Sequence, residues 1–236
     1  MKKFKAILFD LDGTLRHHTP SGSKVFVEYL RTIKVHFSEE DETRAERWEH
    51  FYFANSLEIQ ADKKKFDHTA NEFWINYTRR RLVALGLSKQ QSEELAPDVS
   101  AYMDENHNPD VFVPQDAAPT LSRLKESGYT LGVVSNRDQP YHDELKTLKL
   151  DSYFQFSLAG GELQSFKPDI RIFQRGLELA GASAHETMYI GDNYFADVVG
   201  SLRAGLVPVL FDPGRLFPDA GCATIRSFDE LHGLLN

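Results

Sequence analysis

A single cysteine, Cys222, stands in the whole chain, so no intrachain disulfide can form, and no Cys/His spacing of the kind that holds zinc occurs. No apolar run approaches the ~18 residues that a membrane span needs. Lys2, Lys3 and Lys5 imitate the start of a secretory signal, but Asp10 and Asp12 interrupt the apolar stretch that would have to follow. Positive charge is in deficit: 27 Lys and Arg against 35 Asp and Glu give a net charge of -8, which argues against general binding to a phosphate backbone. Repeats and low-complexity tracts are missing too. Together these absences predict a soluble, cytoplasmic protein in a reducing compartment, with no nucleic-acid or membrane partner and with small-molecule chemistry as the default.

The chain has 236 residues, of which 41% are hydrophobic and 12% aromatic, enough for one good core and a smaller one. The first strong signal is the run Phe4 to Phe9, an apolar stretch bounded by charges, which reads as a buried strand ending in Asp10-Leu11-Asp12-Gly13-Thr14. A tight turn at Gly13 can bring Asp10, Asp12 and the intervening amide groups around one pocket. Carboxylates gathered there need a compensating partner, and a divalent cation is the usual one. The same acids can also simply punctuate a strand end.

Composition changes from about Lys24 to Met103, where apolar positions recur at helical spacing. Val25, Val27, Tyr29, Leu30 and Ile33 predict one helix, and Trp48, Phe51, Tyr52, Ala54 and Asn55 a second. Phe73, Trp74, Tyr77, Leu82, Val83 and Leu85 predict a third before Gly86. A last helix is expected over Ser92 to Met103, with Pro97 in its first turn or kinking it. About four helices thus form a small bundle, inserted rather than appended, because strand-like sequence resumes afterwards. Strands are expected at 129–135, 153–158, 187–191 and 207–211, alternating with helices at 116–127, 141–148, 169–180 and 195–204. This alternation predicts a doubly wound, mostly parallel sheet of Rossmann-like α/β type, whose ligands bind beyond the carboxyl ends of the strands.

That rule collects the candidate site residues. The Ser135 hydroxyl, with the Asn136 amide, is able to donate to an anion, although Ser-Asn-Arg-Asp is also an ordinary turn. Lys167, in Ser165-Phe166-Lys167-Pro168-Asp169, can pair with phosphate oxygens and an ionised nucleophile, or be an exposed loop lysine. Asp192 and Asp197, at a strand-to-helix junction with Asn193 between them, can supply one direct metal ligand and one outer contact, or serve as acids at a helix start.

Taken in this order, Asp-Leu-Asp-Gly-Thr, Ser135, Lys167-Pro168-Asp169 and Gly191-Asp192 followed by Asp197 resemble the haloacid dehalogenase superfamily of hydrolases. The resemblance covers an α/β core of residues 1–15 and 108–236, with 16–107 as an inserted type 1 helical cap. It implies a phosphatase in which Asp10 takes the phosphoryl group as an aspartyl-phosphate and Asp12 serves as general acid, then base. It also implies Mg2+ held by the Asp10 carboxylate, the Asp12 backbone carbonyl and Asp192. Asn193 and Asp197 would support that site, while Asp10, Leu11, Asp12, Ser135, Asn136 and Lys167 would bind the phosphoryl group of a small phosphorylated metabolite. The cap would close over the crevice, flexing near 16–23 and 106–114; a monomer or weak dimer is expected.

Several cap residues invite a substrate role. Arg79, Arg80 and Arg81 read mainly as a solvated face, and Trp48, Phe51, Phe73 and Trp74 mainly as bundle core. His17 and His18 lie nearer the site. Arg16-His17-His18 stand where many relatives, phosphoglycolate phosphatases among them, carry an Asp-Ser pair, which weakens any transfer of their substrate. A haloacid dehalogenase would lack Asp12. The rival enzyme is a β-phosphoglucomutase-like phosphotransferase, and the remote rival is a non-catalytic binding or regulatory module on the same scaffold.

Overall fold

The computed structural model describes residues 4–67 and 70–235. In chain order the elements are β1 (Ala6–Phe9), β2 (His17–Thr19), α1 (Gly22–Thr32), α2 (Glu39–Phe53), α3 (Leu57–Lys65), α4 (Asn71–Ala84), α5 (Lys89–Asn106) and β3 (Asp110–Phe112). There follow α6 (Ala117–Glu126), β4 (Thr130–Ser135), α7 (His142–Thr147), β5 (Phe156–Ala159), α8 (Gly160–Leu163), α9 (Ile170–Ala180) and β6 (Thr187–Gly191). A π-helical turn, Tyr194–Val198, leads into α10 (Val199–Arg203), and β7 (Val207–Phe211), β8 (Ala223–Ile225) and α11 (Leu231–Leu234) complete the chain. Two compact units emerge, one of the residues up to His17 with those from Phe112 onward, the other of His18–Val111. The segments β2 and β3 pair as a two-stranded ribbon.

In the first unit six strands form one parallel sheet in the order β5-β4-β1-β6-β7-β8. Successive side chains of a strand face opposite ways, and both faces of this sheet are covered. Ile7, Phe9, Leu131 and Val133 join one core cluster, while Leu8, Val134 and Tyr189 join another on the far side. This explains why β1 reads as a continuous apolar run, buried at every position, rather than as an alternating one. β1 lies between β4 and β6, with Phe9 level with both Val133 and Ile190. The carboxyl ends of the three central strands therefore open on one rim, at the point where the strand order reverses.

The helical unit departs from the sequence reading in several ways. Five helices, not about four, are found among the described residues. The extra one, α3, has no apolar stripe to betray it: Leu57 is 82% exposed, and its buried residues are Ile59 and the acid Asp62. Pro97 lies in the interior of α5 rather than in its first turn, and Ala54 and Asn55 fall beyond the end of α2. The arginine triplet is not one solvated face. Arg81 is buried, 3.1 Å from Glu49 and with its guanidinium over the Phe26 ring, while Arg80 pairs with Asp62 at 2.7 Å. Of the aromatic residues, Phe73 is buried with Tyr52 and Tyr77, whereas Phe51 and Trp74 are exposed. None of the described helices is long and apolar enough to cross a membrane.

Asp62 carries the packing of α3, since its carboxylate accepts from Tyr52 Oη at 3.1 Å and from Arg80 at 3.0 Å. Removing a buried anion strands both donors. Arg80 is partly exposed, so water recovers some of the loss. Asp62→Ala is expected to lower the unfolding free energy by about 2 kcal/mol, and Leu57→Ala by less than about 0.5 kcal/mol, in urea titrations followed by circular dichroism. Equal effects would show that the acid does not hold α3 in place.

Candidate active site

Every sequence-predicted site residue lies in the α/β unit, on or just past the ends of β1, β4 and β6 or in the segment leading into α9. Asp10 follows β1 directly, and its backbone amide still donates to Ile190 O at 2.8 Å, so the side chain leaves the sheet at a defined place. The chain then turns sharply. Leu15 and Arg16 amides both donate to Leu11 O, and Gly13 N donates to Arg16 O at 2.8 Å. Gly13 has φ +85, and a Cβ there would lie 2.4 Å from Asp192 Oδ2; only glycine lets this turn approach the acid.

Lys167 is the hub. It is 2% exposed, and its Nζ donates to Asp10 Oδ1 at 2.6 Å and to Asp197 Oδ1 at 2.7 Å. The Asn136 side chain holds the lysine backbone at both groups, accepting from Lys167 N at 2.6 Å and donating to Lys167 O at 3.0 Å. Both groups of the Asn136 side-chain amide are therefore spent on positioning the lysine. Ser135 ends β4, buried beside Ala159 of β5.

The expected helix at 195–204 opens instead as the π-helical turn, and the reason is local. Asn193 Oδ1 accepts from the Phe195 and Ala196 amides, while Asp197 Oδ2 accepts from Asn193 N at 2.9 Å. The wide turn points Asp197 back toward Lys167. It also needs Gly191, where a Cβ would come 2.3 Å from Asp197 Cγ.

Asp10, Asp192 and Asp197 each place a carboxylate oxygen within 4.8 Å of the others. Burial pushes the Asp10 carboxyl well above its ordinary range; Lys167 opposes this, and repulsion from Asp197 and Asp192 adds to it. Burial and the charge of Asp197 push Asp192 up to about 7, against a hydrogen bond from Thr14 Oγ1 at 3.1 Å. Burial alone would pull the Lys167 ammonium down, but Asp10 and Asp197 hold it well above its ordinary value. Three carboxylates share one ammonium, so the cluster has room, in charge, for a divalent cation. Asp197 commits one oxygen to Lys167 and the other to an amide. The described bonds to Asp10 and Asp192 fall on Oδ1 of each, which leaves these two better placed to take up a metal.

The Asp12 carboxylate stands apart from that cluster. Arg137 Nε donates to its Oδ2 at 2.8 Å and Arg137 Nη2 to its Oδ1 at 2.8 Å, with Arg16 Nη1 also donating to Oδ1 at 3.0 Å. Burial alone would raise this carboxyl, but the two guanidiniums hold it below its ordinary range. Sequence reasoning missed Thr14, Arg16 and Arg137. The available signal was position, since Arg137 sits two residues past Ser135 on the same turn and Arg16 closes the Gly13 turn. His17 does not reach the site: its ring bonds Thr14 O at 2.7 Å and packs against Phe112 and Phe211.

Residues 7–210 match the family model for haloacid dehalogenase-like hydrolases. Among curated proteins, the chain is 28% identical over 216 residues to a ribulose-1,5-bisphosphate 5-phosphatase of Halopiger xanaduensis, covering 89% of this chain and 85% of that one. It is 24% identical over 204 residues to the pyrophosphatase PpaX of Bacillus cereus, covering 86% and 81%. Among solved structures, a predicted phosphoglycolate phosphatase from Haemophilus somnus aligns over 100% of both chains with a TM-score of 0.64 at 19% identity. A 2-haloacid dehalogenase from Pseudomonas syringae aligns over 98% of both with a TM-score of 0.56 at 23% identity. The structural likenesses agree with the parallel sheet and helical insert described above, and the chain belongs to the haloacid dehalogenase-like hydrolases.

Proposed function

We propose that this hydrolase is a Mg2+-dependent phosphatase acting on a small phosphorylated metabolite, with Asp10 as the nucleophile. The observation that carries the reading is the buried Lys167 ammonium set between Asp10 and Asp197 with Asp192 alongside. A carboxylate and a phosphate ester repel each other, and this arrangement supplies the positive charge that lets them meet. The names of the two curated relatives, both phosphatases, support the same class.

Asp10 and Asp192, with the Asp12 backbone carbonyl, would hold Mg2+, and Asp197 and Asn193 would support them. When bound, the cation supplies charge neutralisation for the incoming phosphoryl oxygens. Asp10 attacks phosphorus, the ester P–O bond breaks as an Asp10 O–P bond forms, and the departing alkoxide takes a proton from Asp12. Water then gives its proton back to Asp12 and attacks phosphorus, releasing inorganic phosphate and restoring Asp10. Lys167 keeps Asp10 in place throughout, and Ser135, with Leu11 and Asn136 backbone groups beside it, would receive the phosphoryl oxygens. Asp12 enters the first step as the acid, so its carboxyl has to give up guanidinium contacts that keep it ionised.

Three outcomes follow. Asp10→Asn is expected to reduce Mg2+-dependent release of phosphate from p-nitrophenyl phosphate by at least about 1,000-fold with an unchanged circular dichroism spectrum; wild-type rates in the variant would remove Asp10 from the reaction. EDTA should abolish turnover and Mg2+ restore it, whereas full activity in EDTA would rule out the cation. In the metal-free protein Asp192 binds its proton more tightly folded than unfolded, so its contribution to stability falls as pH rises from about 4 to about 7. Urea titrations across that window should show a fall that Asp192→Asn flattens and Mg2+ offsets. An identical slope in the variant would contradict the burial of an ionisable acid there.

A further inference from the structure

Arg16 and Arg137 do more than pair with Asp12: both also meet Glu144, at the start of α7. Arg16 Nε lies 2.6 Å from Glu144 Oε1, and both terminal nitrogens of Arg137 reach the Glu144 carboxylate. Two guanidiniums and two carboxylates thus form a balanced set. It is built rather than incidental. Arg137 lies against the Tyr141 ring, 5.7 Å from its centroid, and Tyr141 Oη is fixed 3.1 Å from Val133 O and Leu158 O in the core. Gly161 lets the 137–138 turn pack down, since a Cβ there would fall on the Asp138 backbone. Arg16 Nε is buried and ion-paired with Glu144, but it is not aligned for a hydrogen bond to it. Residues 137–144, with Arg137 and Glu144 at its two ends, line an open surface depression beside this set.

Resting on the phosphatase reading above, we infer that Arg16 and Arg137 form a subsite for a second anionic group on the leaving-group side of the substrate. Asp12 hands its proton to the leaving oxygen, so whatever touches the Asp12 carboxyl flanks the leaving group. To reach that oxygen, Asp12 gives up guanidinium contacts, and the two arginines then face Glu144 alone with an uncompensated positive charge. A carboxylate or phosphate on the tail of the substrate restores the balance, because the arginine fork matches either anion in two parallel hydrogen bonds. An uncharged tail leaves the charge bare. Glu144 touches neither tail nor phosphoryl group in this scheme; it is a positioning residue that holds both forks in place and competes weakly with the incoming anion.

A matched three-carbon series tests this in the presence of Mg2+: 3-hydroxypropyl phosphate with a neutral tail, 3-phosphonooxypropanoate with a carboxylate tail and propane-1,3-diyl bisphosphate with a phosphate tail. The wild type is expected to favour at least one anionic tail over the neutral one by about 10-fold or more in kcat/KM, and the two anionic arms show which anion the forks prefer. Arg16→Gln and Arg137→Gln should each bring that ratio down toward about 1, while Glu144→Gln should enlarge it through a lower KM for the anionic tails. Calorimetric binding of the same three esters to Asp10→Asn gives the discrimination without turnover. Loss of all hydrolysis with the binding preference intact would count against the phosphatase reading and still support the subsite. Equal use and equal binding of all three tails, or arginine variants that slow all three by one common factor, would overturn it.

Discussion

One buried ammonium group holds the catalytic rim together. Lys167 bonds to Asp10 from the end of β1 and to Asp197 from the turn after β6, while Asn136, beyond β4, grips its backbone. Three chain segments thus converge on one residue of a fourth. Gathering three buried carboxylates with oxygens within 4.8 Å of one another is unfavourable unless positive charge is buried with them. The ammonium supplies part of that charge, and in the proposed mechanism a dication would supply the rest, so the arrangement that lets the fold tolerate these acids would also let an acid approach a phosphate.

Around this centre the charges are sorted into two groups. Asp10, Asp192 and Asp197 cluster around a single ammonium, three carboxyl groups to one cation. Asp12, two residues further along the chain, belongs to a second group in which Arg16 and Arg137 match it and Glu144 charge for charge. In the proposed mechanism the separation would give different tasks to two acids that the sequence places side by side: Asp10, among the clustered carboxylates, would be the nucleophile, and Asp12, beside the two guanidiniums, would carry the proton.

Much of this was legible in the chain because strand ends in parallel sheets announce themselves. Apolar runs stop at Phe9, Val134 and Ile190, and polar turn residues follow each, so the rule that ligands gather at carboxyl ends brought Asp10, Ser135 and Asp192 to one rim. Lys167 was found by its place before Pro168 and Asp169, which cap α9. What the sequence hid were contacts that depend on long-range packing. Arg16 and Arg137 read as turn residues; their positions place them near the rim, but their shared contact with Asp12 forms only when the distant segments fold together. Arg81 sits in a basic triplet that suggests solvent, yet its guanidinium is buried on Glu49 and Phe26. Helix α3 escaped notice because its inward face carries Asp62 in place of an apolar residue, and β8 because it is a three-residue edge strand.

The central claim is that Asp10 forms a covalent bond to phosphorus. The direct measurement is to quench the enzyme during turnover of a phosphomonoester with Mg2+ present, reduce it with borohydride and map the product by peptide mass spectrometry. Borohydride converts an aspartyl-phosphate to homoserine and leaves an ordinary aspartate unchanged. The account predicts homoserine at position 10 alone, dependent on substrate. An unmodified Asp10 under conditions of full turnover, or homoserine at Asp12, Asp192 or Asp197 instead, would contradict it.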